Sequence, residues 1–90
     1  MNMKKVVSEV FGTVVFLTIL IKAEKSRGMM TPLVVGFGLA AAMYMFGSGD
    51  YNPATSFLRV FQGSKVDSDF FLKLLCHVAG AFLAKELSGL

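Results

Sequence analysis

Ninety residues bound the chain to one small domain, and the composition is 54% hydrophobic, with nine Phe, six Met, no Trp and a mean hydropathy of +0.64. A soluble domain of this size buries only about 60% of its surface, which excludes an ordinary water-soluble core and points to lipid or to a large partner interface. The net charge of +3 comes from nine Lys/Arg against six Asp/Glu, set in short clusters between apolar runs, with no basic tract and interleaved aromatics of the kind that binds nucleic acid.

The first apolar run is Val6 to Ile21, with Ser8 and Glu9 near its start and Lys22, Glu24, Lys25 and Arg27 closing it. The opening MNMKKVV is similar to the head of a signal peptide. No small-residue cleavage site follows Ile21, and a cationic cluster does, so the run is expected to be a retained membrane helix. The second run, Met29 to Phe46, carries Pro32 in its first turn, where proline is tolerated. Gly36-Phe37-Gly38-Leu39-Ala40-Ala41 fits a dinucleotide-binding fingerprint loosely, but no strand precedes it and the chain is too short for that α/β unit.

Next comes GSGDYNPATSFLRVFQG, residues 47 to 63. Asn52 is a good helix N-cap, Pro53 suits the first helical position, and Gly63 suits the stop. Residues 53–62 then form a helix of roughly 15 Å at 1.5 Å per residue, about half a hydrocarbon core. Two readings stand. One is a re-entrant half-helix, buried among the spans, whose N-terminus reaches the bilayer midplane. Such backbone is tolerated only inside protein or beside water. The other is a surface turn capping an ordinary amphipathic helix.

The last run, Phe70 to Ala84, follows the capping candidates Asp67, Ser68 and Asp69 and precedes Lys85 and Glu86. Cys76 lies in it and is the only cysteine, so neither an intramolecular disulfide nor a cysteine metal cluster is expected, and no cofactor. The three runs are short for spans, which need about 20 residues, and snorkelling lysines would help. Small residues recur at four-residue spacing, at Ser8 and Gly12, Gly36 and Ala40, Gly38 and Ala42, and Gly80 and Ala84. In lipid such pairs let helix backbones approach closely. The fold expected is an all-α membrane domain over residues 1–90, with spans at 6–21, 29–46 and 70–84 and a half-helix at 53–62.

Several of these residues carry a resemblance. Asn52-Pro53-Ala54 resembles the Asn-Pro-Ala box of the aquaporin (major intrinsic protein) family. Glu9-Val10-Phe11-Gly12-Thr13 is similar to the E-x-x-G-T of that family's first helix, and Phe37-Gly38-Leu39-Ala40 to the F-G-L-A of its second. Cys76-His77-Val78-Ala79-Gly80-Ala81 is similar to the A-Q-x-x-G-A of its third, with His for Gln. The order of motifs matches one half of the family fold, across the whole chain. The chain has one box where the family has two in inverted halves. Its loop, Ser48 to Tyr51, is short, lacks the family's His and carries Asp50. Thr55 and Ser56 follow the box, where the family's second half has an arginine, and Arg59 is not given that role.

The resemblance implies a passive channel for water or a small neutral solute, not an enzyme. Asn52 would donate its amide to a passing oxygen, with Pro53 and Ala54 stacking two half-helix ends. Carbonyls around Gly49, Asp50 and Tyr51, with Thr55, would line the path. Phe37 would stand at a constriction or simply pack. Glu9 would brace the loop backbone or lie at the membrane interface, and His77 would bond across helices. The partners implied are the lipid bilayer and a second, inverted copy, with four such pairs as an extension. The cations fit both orientations. Lys4, Lys5, Arg59, Lys65 and Lys73 fall on the N-terminal side, and Lys22, Lys25, Arg27 and Lys85 on the other. Five against four is almost no positive-inside bias. The competing reading is a non-conducting membrane scaffold that keeps the same half-fold.

Overall fold

The computed structural model describes residues 1–26, 31–47 and 49–89. It contains helices α1 (Met3–Ser26), α2 (Thr31–Phe46), α3 (Pro53–Phe61) and α4 (Ser68–Ser88), and no strand among the described residues. Three positions used in the sequence reading, Arg27, Met29 and Ser48, lie outside the described residues.

Helices α1 and α4 run past their apolar windows. α1 starts at Met3 because the Asn2 side chain accepts a hydrogen bond from Lys5 N–H (2.8 Å), capping the first turn. It continues beyond Ile21 because Lys22, Ala23, Glu24 and Lys25 are good helix formers with no breaker among them. Of the three capping candidates before α4, Asp67 takes the role, its carboxylate accepting Phe70 N–H at 3.1 Å. The hydrophobic windows at 6–21 and 70–84 thus mark the greasy part of each helix, not its ends.

The helices pack in the order α2, α1, α4, α3. α1 and α4 run parallel, since Glu9 meets His77 and Thr13 lies beside Gly80. α2 runs antiparallel to α1, with Phe46 stacked on Phe11 and Gly38 against Ile19. Small residues make these approaches possible. A methyl group on Gly80 would fall 2.7 Å from Thr13 Cβ and 2.9 Å from the Val10 carbonyl, and one on Gly38 would fall 2.8 Å from Ile19 Cγ2. The pairs Gly38–Ala42 and Gly80–Ala84 are buried at these contacts, whereas Gly36 and Ala40 face outward.

The bulkiest fully buried side chains carry polar groups, while many large apolar ones are exposed. The largest fully buried side chains are Tyr51, His77, Glu9, Thr13 and Ser56. Phe11, Leu33, Phe37, Tyr44, Phe57, Phe61, Leu75 and Phe82 are all exposed. Water-soluble chains keep Leu and Phe inside and leave Glu and His outside unless paired. By length and composition α1 is a helix able to cross a membrane, the most apolar 18-residue stretch within Met3–Lys25 having a mean hydropathy of 1.9. The apolar part of α2, Pro32–Phe46, is shorter. α4 carries Asp69 and Lys73 near its start and Lys85 and Glu86 near its end, which confines its apolar stretch.

Helix α3 differs from its expected setting. Within one chain it packs on α4 alone, through Phe57 edge-on to Phe70 (5.2 Å between ring centres), and Ser56 is its buried residue. It is not buried among three spans, because α1 already occupies the groove between α2 and α4.

Candidate functional site

α2 ends at Gly47, whose φ of +85° turns the chain in a way that suits glycine. Gly47 lies beside Lys4, Lys5 and Ser8, near the start of α1. Four residues later the Tyr51 carbonyl is 3.1 Å from the Thr13 hydroxyl. Thr13 is ten residues into α1, about 15 Å at 1.5 Å per residue, close to the middle of that helix. The loop therefore climbs along α1 before α3 turns back, and α3 ends beside the start of α4.

Asn52 caps α3. Its φ and ψ are extended (−157°, 156°), and its side-chain oxygen accepts Thr55 N–H at 3.0 Å. That bond commits the oxygen, so the amide nitrogen is the atom with hydrogens left to donate. Pro53 follows at the first helical position. At the other end Ser64 N–H donates to the Arg59 carbonyl (2.9 Å) and Gly63 N–H to that of Val60 (3.0 Å), with Gly63 at φ +108°. This pairing is the Schellman stop that the glycine predicts.

A carboxylate holds the loop. Glu9 is fully buried. Asp50 N–H donates to its Oε1 (2.9 Å) and Tyr51 N–H to its Oε2 (3.3 Å). His77 Nε2 meets Oε2 at 2.7 Å, and since a carboxylate only accepts, Nε2 carries the hydrogen. Lys5 Nζ, one turn earlier on α1, lies 3.6 Å from Oε1. Buried charge is costly unless paired and hydrogen-bonded, and Glu9 is both. Its place is inside the bundle, not at an interface. Glu9 on α1 thus holds the loop backbone, and His77 on α4 holds Glu9.

A second cluster surrounds Asp50, which is also buried. Ser56 Oγ donates to its Oδ2 at 2.8 Å, Lys73 Nζ lies 3.5 Å from Oδ2, and Arg59 Nε lies 3.7 Å from Oδ1. These groups edge a cavity of about 310 Å³ between α3 and the start of α4. Asp50 is thereby neutralised within its own chain.

Other expected residues are placed differently. Tyr51 is wholly buried and its carbonyl faces Thr13 of α1, so it does not line an open path in one chain. Gly49 is half-buried against Glu9, and Thr55 is half-buried. Phe37 stands on the outer face of α2, 66% exposed, away from the side chains gathered around the loop. Pro53 and Ala54 are exposed at the head of α3. Lys5, Thr13 and Lys73 belong to the site although the sequence reading gave them no part in it. Their signal was helical spacing, since Lys5, Glu9 and Thr13 share one face of α1, and Lys73 lies one turn before His77 on α4. Among the described residues no three His, Cys, Asp or Glu side chains are gathered as metal ligands.

Compared with family models, with curated proteins and with solved structures, the chain finds no match.

Proposed function

We propose that this chain is a membrane-embedded half-pore of the aquaporin kind. Two inverted copies would pass water or a small neutral solute past Asn52. One observation carries the reading. The head of α3 lies near mid-height on α1, with Pro53 and Ala54 uncovered. In hydrocarbon, uncovered backbone at that depth needs protein or water over it. An inverted second copy supplies both, because its own α3 would arrive end to end and leave a polar path along the Asn52 amides. Two facing helix N-termini disfavour cations there. Phe37, Gly49, Asp50 and Thr55 remain candidates for the walls in that pair. The outward Phe and Leu side chains then meet lipid, and all three long helices span.

A specific observation favours the alternative, a sealed scaffold. Asp50, at the start of the half-helix, is tied to Ser56, Arg59 and Lys73, which links α3 to α4 without any need for a passing solute. Osmotic shrinkage of liposomes holding the purified chain separates the two. Under the pore reading, light scattering changes several times faster than in empty liposomes. An unchanged rate assigns the scaffold role.

A further inference from the structure

Tyr51 has a backbone and a side chain in apparent conflict. Its φ is +62°, the left-handed region, and among the described residues it is the one non-glycine residue there. For an L-residue other than Gly or Asn that conformation is strained. Glycine would adopt it freely, so the ring must contribute something that glycine cannot. The ring sits against Gly12 of α1 and Gly49 of the loop, so closely that a methyl group added at either glycine would collide with it. The phenol hydroxyl donates to the Gly47 carbonyl, at the foot of the same loop. The amide is held by Glu9, and the carbonyl lies 3.1 Å from the Thr13 hydroxyl, which also donates to the nearer Glu9 carbonyl at 2.6 Å. Asn52 follows immediately.

We infer that Tyr51 is a positioning residue: its ring, seated in the notch at Gly12, fixes the height along α1 at which Asn52 and α3 begin. This inference rests on the proposed function for its meaning but not for its geometry. A wedge bearing on α1 sets depth in a way that the Glu9 bonds alone cannot, since a carboxylate on a rotatable stem could follow the loop up or down. The strained φ is held by the four contacts around it, as strained residues at functional sites are.

The test uses the full chain in liposomes, with Cys76→Ala to remove the native thiol and unlabelled chain added in excess. Nitroxides placed through Ala54→Cys and Lys22→Cys report the distance from the head of α3 to the far end of α1 by pulsed electron resonance. Wild type and Tyr51→Phe, which keeps the ring, are expected to give the same narrow distribution. Tyr51→Gly relieves the φ strain but removes the wedge. Its distribution should broaden and lengthen by about one helical turn, ~5 Å. Gly12→Ala, which retains Tyr51 but fills its seat, should lengthen it too, and adding it to Tyr51→Gly should have no further effect. If Tyr51→Gly does not insert, Gly12→Ala decides alone. Distributions that superimpose on wild type overturn the inference, whatever the flux. Shifted distances in a chain whose wild type does not conduct leave the inference standing and remove the pore reading instead. In a conducting chain, Tyr51→Gly should also lower the ratio of water to glycerol flux while Tyr51→Phe retains it.

Discussion

Asn52 shows how one side chain serves two ends. Its oxygen closes the first turn of α3, and under the pore reading its amide nitrogen is left to face a passing solute. Asn52→Ala removes both, and loss of the cap alone costs about 1 kcal/mol. Water flux in liposomes should therefore fall in Asn52→Ala while the amount inserted stays the same. Unchanged flux at equal insertion would argue for the scaffold. The cap was legible in the sequence because Asn-Pro is a local signal. For Glu9 the sequence left two readings, loop brace or interfacial carboxylate, and its complete burial selects between them. The Thr13 contact and the Tyr51 wedge were not legible, because each depends on residues 38 or 39 positions apart meeting across a loop, and neither leaves a local pattern. Asp50 is legible in the sequence only as a departure from the family's loop, and its contact with Arg59 is made when α3 folds back beside it. Lys73 enters only when α4 packs beside α3.

At the level of elements, α1 holds the assembly together. It receives α2 and α4 on opposite sides and offers Lys5, Glu9 and Thr13 to the loop from one face. α3 is the weakest member, nine residues held mainly through Phe57, Ser56 and the Asp50 cluster. Isolated helices this short are marginal in water, so α3 depends on what covers it. The pore reading says a second copy and lipid do. Single cysteines along Thr55 to Phe61, in a Cys76→Ala background, should then react slowly with bulky aqueous thiol reagents in liposomes. Fast reaction along the whole segment would place α3 at the water surface. The helix limits of α3 came directly from Asn52, Pro53 and Gly63. Its packing did not, because which groove a helix occupies depends on the neighbours already filling it.

Across the described residues the molecule encloses a polar cluster of Glu9, Thr13, Asp50, Ser56 and His77 beside small apolar side chains and exposes many Phe and Leu, which lipid would cover under the pore reading. It also leaves Pro53, Ala54 and the outer face of α2 without a covering in one chain. An inverted pair is the closed symmetric way to cover the head of α3 and to bring two Asn52 amides together. Such a pair requires that the chain insert in both orientations. Parallel α1 and α4 gather Lys4, Lys5, Arg59, Lys65 and Lys73 at one end, against Lys22, Lys25 and Lys85 among the described cations at the other. By sequence alone, with Arg27, the split is five against four, which the pore reading takes as too small a bias to fix orientation. The measurement that bears most directly on the inverted pore is therefore topology. An epitope tag at the N-terminus should be accessible to an impermeant protease from both sides of the membrane, about half of the molecules being cut in sealed vesicles of either orientation. Tags cut from one side only, in every molecule, would contradict the inverted pair and with it the pore.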